Sequence, residues 1–117
     1  MRVQQDLLTK SEQISFLLDF YGELLSETQK KAMDLFYNAD LSLSEIAEQT
    51  GITRQGVRDR LVKAERILLE TEEKLGLAAR FMQAKEGISY LVGRLETLHR
   101  ETGAQVDDLI EAAQKLL

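Results

Sequence analysis

The chain has 117 residues, 44% of them hydrophobic, and a formal net charge of −5. This length supports one hydrophobic core but not two full-size domains, and the absence of cysteine excludes disulfides and thiolate chemistry. Proline is also absent and helix-favouring residues dominate, so we predict an all-α fold. The apolar runs are too short to span a bilayer and the N-terminal MRVQQDLL lacks a signal-peptide core, so we expect a cytoplasmic protein with no membrane span.

Two helices are predicted before the middle of the chain. The first covers about residues 11–24, and Val3 and Leu7 extend its apolar stripe towards the N-terminus. The stripe itself has helical spacing and comprises Ile14, Leu17, Leu18, Tyr21 and Leu25. The second helix opens with a capping box and continues through residues 30–37 with an inward apolar face. That box pairs Ser26 with Gln29, and the inward face comprises Met33, Phe36 and Tyr37.

Residues 43–61, LSEIAEQTGITRQGVRDRL, have the spacing of a helix-turn-helix. Ser42 and Glu45 form a capping box for its first helix, Gly51 stands where the turn needs a positive φ, and Thr53 caps the second helix. Apolar residues fall where two crossed helices share a core, with a small residue at the point of close approach: Ile46, Ala47, Ile52, Val57 and Leu61. An unrelated helical hairpin is the alternative interpretation.

The second helix of this motif is predicted to be long, because nothing stops it before Gly76. It would have roughly 22 residues and a length of about 33 Å. Its apolar residues form a heptad seam, and a second seam follows the glycine: Val57, Leu61, Ala64, Leu68, Thr71 and Leu75, then Phe81, Ala84, Ile88, Leu91, Leu95 and Leu98. The seams are consistent with packing inside one chain or with a subunit interface.

The seams and breaks divide the chain into two predicted regions. Residues 1–76 form a helical domain that contains the helix-turn-helix at about residues 43–75. Thr102 and Gly103 break the second seam, and a short amphipathic helix follows them. Residues 77–117 are therefore predicted to be a C-terminal helical extension. This extension is the candidate dimerisation element of a homodimer, and packing inside one chain is the alternative interpretation.

Charge is unevenly distributed along the chain. Residues 53–66 hold five basic and two acidic side chains, whereas residues 1–52 and 67–117 are each net acidic. Because Lys and Arg supply most of the affinity for phosphate, this basic segment is the predicted nucleic-acid-binding site. Its candidate residues are Thr53, Arg54, Gln55, Arg58, Lys63 and Arg66.

The candidates divide by chemistry. Gln55 and Arg58 are the best candidates to contact bases, because Gln pairs with adenine and Arg with guanine. The other basic side chains suit phosphate contacts. Asp59 lies on the same face and could form an ion pair with Lys63. A solvated helix surface is the alternative interpretation of the whole face.

No pattern in the sequence predicts an enzyme, a metal site or a cofactor. His99 has no nucleophile or carboxylate at a diagnostic spacing. The adjacent acidic pairs at residues 72–73 and 107–108 diverge around their helices and do not converge on one site. We therefore expect a non-enzymatic protein.

The stretch LSEIAEQTGITRQGVRDRLVKAERIL resembles the fourth region of bacterial sigma factors, a helix-turn-helix that contacts the −35 promoter element. Carried over residue by residue, this resemblance places Thr53, Arg54, Gln55 and Arg58 at the nucleic acid. The wider pattern of residues 17–77 is similar to the YlxM-like family of small Gram-positive and mycoplasma proteins, including DFY at 19–21 and TRQGV at 53–57. Family members often carry an aromatic residue where this chain has Arg58, which leaves its sequence preference open.

The YlxM-like resemblance implies a regulator that serves the signal recognition particle pathway, an inference drawn from neighbouring genes in that family. Two hypotheses follow. The first is a nucleic-acid-binding regulator or accessory factor that binds DNA, with a homodimer providing two recognition helices. The second is an adaptor that does not bind DNA and contacts the particle's GTPase or its RNA, which the acidic balance of the chain favours.

Overall fold

The computed structural model describes residues 10–117, and the regular structure in this part of the chain is all-α, as predicted. Val3 and Leu7, predicted to extend the first stripe, lie outside the described residues. A 3₁₀ turn, Gly22–Leu24, and a π-helical turn, Asp34–Asn38, separate some of the helices. In chain order the α-helices are α1 (Lys10–Tyr21), α2 (Glu27–Met33), α3 (Leu43–Thr50), α4 (Arg54–Leu75), α5 (Leu77–Thr102) and α6 (Asp107–Gln114).

Local hydrogen bonds explain why several helices begin where they do. Both predicted capping boxes are confirmed: Ser26 and Gln29 bond reciprocally before α2, and Ser42 and Glu45 do so before α3. Each box satisfies backbone N–H groups that have no partner inside the helix. The helix starts are therefore encoded within four residues of sequence.

The second predicted helix differs from expectation after Met33. The α-helical turns of α2 end there, and residues 34–38 form a π-helical turn with one more residue per hydrogen-bonded loop. The hydroxyl of Tyr37 in this turn donates to Glu65 Oε2 on α4 at 2.5 Å. This bond joins residues that are 28 positions apart. The local periodicity, which predicted a regular helix, therefore gave no sign of the π-helical turn.

The described chain forms two compact units, one ending at Ala78 and the other beginning at Ala79. In the first, α4 packs against α1, α2 and α3. The buried side chains of this unit form one hydrophobic cluster, which comprises Ile14, Leu17, Leu18, Tyr21, Leu25, Ala32, Met33, Ile46, Val57, Leu61, Ala64, Leu68 and Ala78. The predicted α1 stripe is thus confirmed as a core face.

The first predicted seam follows the core of this unit over most of its length. Val57, Ala64 and Leu68 are fully buried within the cluster, which shows intramolecular packing for this part of the seam. Leu75, the last member, is 52% exposed. The heptad spacing arises here because α4 lies along three shorter helices of the same chain.

A hydrogen-bonded group fixes the end of α4. Tyr21 on α1 donates its hydroxyl proton to Glu72 Oε1 at 2.6 Å. The same oxygen accepts the backbone N–H of Ala78 at 3.0 Å. Gly76, at φ 64°, lies between Glu72 and Ala78 in the sequence and ends α4 as predicted. A single carboxylate therefore bonds both α1 and the first turn of α5.

The unit of residues 79–117, all described, buries fewer side chains. Its buried apolar residues are Ile88 and Val106. Phe81, Leu91 and Leu98, from the second predicted seam, are exposed. The predicted break is confirmed, since α5 ends at Thr102 and the following glycine has φ 74°. Among residues 10–117 no helix is long and apolar enough to cross a membrane.

Candidate nucleic-acid interface

The turn between α3 and α4 has the geometry that the sequence predicted. Gly51 adopts φ 76° and donates its N–H to the Ala47 carbonyl at 2.9 Å, which ends α3. A residue with a side chain would be strained at this φ. Ile46 is fully buried in the middle of α3, and Ile52 packs against the same core. The turn and the core together fix how α4 leaves α3.

The first turn of α4 is capped by a side chain. Thr53 Oγ1 accepts the backbone N–H of Gly56 at 2.9 Å, as predicted. A Cβ added at Gly56 would lie 3.2 Å from this same oxygen and 3.4 Å from Ile52 Cδ1, so glycine permits the close fit. The Thr53 side chain is exposed, and its hydroxyl proton is free to donate outward while the oxygen caps the helix.

Three of the predicted site residues meet at an open cavity of about 400 Å³. Arg54, Gln55 and Arg58 line it from α4, and Leu43 lines it from the first turn of α3. All three α4 side chains are exposed. Two guanidinium groups thus stand beside the positive end of a helix dipole with no acidic residue in its first turn. This arrangement attracts anions and presents hydrogen-bond donors.

Lys63 and Arg66, the two remaining candidates, are exposed on α4 but do not line this cavity. They lie about 7.5 and 12 Å beyond Arg58 along the helix axis at 1.5 Å per residue. Their predicted phosphate contacts would therefore belong to a different part of a bound duplex. Leu43, which completes the cavity, was not predicted, because its place beside α4 depends on the turn.

Asp59 bonds to Gln55 and not to Lys63, the partner that the sequence predicted. Its Oδ1 accepts a hydrogen bond from Gln55 Nε2 at 3.0 Å, one helical turn earlier. Lys63, four residues further on, makes no ion pair with it in the described structure. The i, i+4 spacing of Gln and Asp was a sequence signal for this contact. Asp59 is therefore attached to a candidate base-contacting side chain.

The exposed face of α4 beyond the cavity is mixed in character. Val62 and Leu69 are each nearly half exposed, at 44% and 46%. Glu70 and Glu73 are also exposed further along the helix. Beyond the cavity, α4 therefore exposes apolar and acidic side chains together with the basic side chains of Lys63 and Arg66.

Glu65 and Glu72 are acidic residues of α4 that accept hydrogen bonds from tyrosines of other segments. Glu65 accepts from Tyr37, and burial together with this carboxylate raises the pKa of the Tyr37 hydroxyl above its ordinary value. Burial and Glu72 likewise raise the pKa of Tyr21. Neither pair lines the cavity. These residues position α4 and were missed in the sequence because each bond joins distant segments.

The acidic side chains and His99 were also considered in the sequence as metal ligands or catalytic groups. Within residues 10–117 no group of three or more His, Asp or Glu side chains is arranged to hold a metal ion. The ring Nδ1 of His99 lies 2.7 Å from the Ala104 carbonyl oxygen, so this nitrogen donates to the backbone after α5. Its contact is that of a helix-ending residue.

The family of the chain follows from comparison with known proteins. Residues 8–109 match a family model described as "Putative helix-turn-helix protein, YlxM / p13 like". The chain belongs to the UPF0122 family. The resemblance of residues 17–77 to YlxM-like proteins is thereby confirmed. The UPF0122 match includes α3, α4 and the cavity between their first turns.

Curated UPF0122 relatives show similarity over most of their length. A protein of Desulforamulus reducens is 46% identical over 83 residues, covering 71% of this chain and 71% of its own. One from Clostridium kluyveri is 40% identical over 98 residues, covering 84% and 88%. One from Bacillus cereus is 37% identical over 113 residues, covering 94% and 99%. Each is named as a UPF0122 protein.

Proposed function

We propose that this chain is a nucleic-acid-binding regulator that contacts duplex DNA through the first turns of α4. The observation that carries this proposal is the exposed group of Arg54, Gln55 and Arg58 on a capped helix of a helix-turn-helix. Its guanidinium groups and helix N-terminus suit phosphates, and its Gln and Arg side chains suit base edges in the major groove. Membership of a helix-turn-helix family supports the same class of function.

A single module of this kind would bind weakly. Non-specific affinities near 10⁻⁴ to 10⁻⁶ M are typical at physiological salt, and the acidic remainder of the chain reduces attraction further. We propose that the protein compensates as a homodimer in the cytoplasm, with residues 77–117 as the dimerisation element. Two α4 helices about 34 Å apart would then enter successive major grooves on one side of the duplex.

The face that supports dimerisation lies on α5. Phe81, Leu91 and Leu98 are exposed at positions that share one side of the helix, together with half-buried Leu95. An exposed apolar seam of this length is unfavourable in water and is covered when a second copy supplies the same seam. A dimer also gives two DNA-contacting helices from one gene product.

The DNA proposal is tested by titrating a fluorescent 30-base-pair duplex with the full chain at several salt concentrations. The double variant Arg54→Ala, Arg58→Ala should bind at least about tenfold more weakly at ~50 mM salt, and its plot of log K against log salt should lose a slope of about 2. The matched control is Arg80→Ala, Arg94→Ala, which removes the same charge from α5. No binding by the native chain, or equal losses in both variants, would overturn the proposal.

A second candidate function is favoured by the apolar and acidic side chains that α4 exposes beyond the cavity. Val62 and Leu69 expose apolar surface on a helix that also exposes Glu70 and Glu73, and acidic side chains repel a phosphate backbone. We propose on this basis an adaptor that contacts the GTPase of the signal recognition particle. Contact with the RNA of the particle is the other form of this proposal and rests on the family resemblance alone. The pathway itself rests on the family resemblance. Capture of the purified GTPase or RNA by a chain that fails to bind duplex DNA would favour this alternative.

A further inference from the structure

The contact between Gln55 and Asp59 gives the proposed DNA interface a base preference. Asp59 would repel phosphate if it acted only as an exposed charge. In the structure it holds the amide nitrogen of Gln55 at 3.0 Å. Both residues are exposed, and Gln55 also lines the cavity with Arg54 and Arg58. The acidic residue is therefore part of the arrangement that would meet a base.

The hydrogen bond restricts which groups Gln55 can present. A Gln amide has one carbonyl oxygen and two N–H groups. Asp59 accepts one N–H, which directs the nitrogen towards the next turn of α4 and fixes which end of the amide is oxygen. One carbonyl oxygen and one N–H then remain for a ligand. The side chain also loses less freedom on binding, because it is already held.

This remaining pair of groups matches one base in the major groove. Adenine presents a donor at N6 beside an acceptor at N7, whereas guanine presents two acceptors at O6 and N7. The oxygen and N–H of Gln55 complement adenine, and the second carboxylate oxygen of Asp59 disfavours the guanine acceptors. Cytosine and thymine each lack this adjacent donor and acceptor.

We propose that Asp59 is a positioning residue that orients Gln55 to select adenine in duplex DNA. This inference rests on the proposed function, since it assigns the base specificity of the same interface. It predicts that Asp59 lowers overall affinity through its charge and raises discrimination through its hydrogen bond. These two effects separate the role from that of an ordinary surface carboxylate.

Three variants separate charge from orientation. Asp59→Ala removes both the charge and the acceptor. Asp59→Asn removes the charge and keeps an oxygen that can accept from Gln55. Glu70→Ala removes an equivalent exposed charge about 16 Å further along α4 and leaves the Gln55 contact unchanged. All three should bind non-specific duplex more tightly than the native chain at ~50 mM salt, because each removes one negative charge.

The experiment selects bound duplexes from a library of 30-base-pair DNA with a randomised centre, using the full native chain. The best duplex is then compared with versions in which each A·T pair is replaced by G·C. At one position the native chain, Asp59→Asn and Glu70→Ala should prefer adenine roughly tenfold. Asp59→Ala and Gln55→Ala should lose this preference to within about twofold, and combining them should cause no further loss.

The possible outcomes separate failure of the proposed DNA binding from failure of the proposed role of Asp59. If no duplex binds at ~50 mM salt, the proposed function and this inference both fail. If duplex binding depends on Arg54 and Arg58 but Asp59→Ala retains the adenine preference, only the role of Asp59 is overturned. If no adenine position depends on Gln55, the assignment of Gln55 is overturned as well. Loss of preference in Asp59→Ala together with its retention in Asp59→Asn supports the inference.

Discussion

The two units of this chain use similar apolar patterns in different ways. In the unit that ends at Ala78, most of the α4 seam is buried against α1, α2 and α3, and Val57, Ala64 and Leu68 have no exposed surface. From Ala79 onward, the seam of α5 leaves Phe81, Leu91 and Leu98 exposed. A heptad spacing therefore indicates a helix with one apolar face, and only the surrounding chain decides whether that face is already covered.

Two adjacent leucines on α4 should differ strongly in how much they stabilise the fold. Leu68 is fully buried and Leu69 is 46% exposed. Leu68→Ala should lower the free energy of unfolding by about 2–5 kcal/mol, because it leaves a cavity in the core. Leu69→Ala should lower it by less than about 0.5 kcal/mol. Urea unfolding followed by circular dichroism measures both, and similar losses would contradict the packing described for α4.

The next effect concerns the proposed dimer and contrasts two neighbours on α5. Leu91 lies on the exposed seam, and Tyr90 is 67% exposed away from it. Leu91→Glu should weaken self-association at least about tenfold, since a charge would be placed in an apolar interface. Tyr90→Glu should leave it unchanged. Light scattering over a concentration series measures the mass, and a monomeric native chain or equal effects would refute the dimer.

The smallest effect tests how the first unit holds α4 in place. Tyr37→Phe removes the hydrogen bond to Glu65 and should lower the free energy of unfolding by about 1 kcal/mol at neutral pH. Tyr90→Phe is the matched control on an exposed tyrosine and should change little. Equal effects of the two substitutions in urea unfolding would show that the Glu65 bond contributes nothing.

The same bond gives a dependence on pH with a definite sign. Burial, followed by the Glu65 carboxylate, raises the pKa of Tyr37 in the folded chain above its ordinary value of 10.0. The folded state therefore holds the proton more tightly than the unfolded state. The stabilisation is complete below about pH 10 and is lost as the pH rises above it. Raising the pH from 8 to about 11 should therefore lower the free energy of unfolding of the native chain more than that of Tyr37→Phe. Urea unfolding at each pH measures both, and an equal dependence on pH would contradict a role for this bond.

Local signals predicted much of the first unit. Thr53, Gly51 and the Ser42 capping box each act within a few residues, so the bounds of α3 and α4 could be inferred from the sequence. The π-helical turn at residues 34–38 could not, because the bond from Tyr37 reaches a distant helix. Local chemistry therefore predicts where helices begin and end, and tertiary contacts decide their irregularities.

The candidate site was predictable in composition more than in arrangement. The sequence identified Arg54, Gln55 and Arg58, which the fold brings to one cavity. Leu43 also lines this cavity and was not predicted, because its position depends on the turn. Lys63 was the predicted partner of Asp59, whereas the structure pairs Asp59 with Gln55. A helix offers Asp59 neighbours both before and after it at the same spacing, so periodicity alone could not choose between them.

Whether the start of α4 contacts DNA is measured by mapping duplex DNA onto the full chain with ¹H–¹⁵N spectroscopy at low salt. We predict shifts centred on the backbone amides of residues 53–58 and on Leu43, with smaller shifts at Lys63 and Arg66. Residues 107–114 of α6 should change little. Shifts confined to residues 79–117, or no shifts at duplex concentrations of ~1 mM, would contradict an interface at the start of α4.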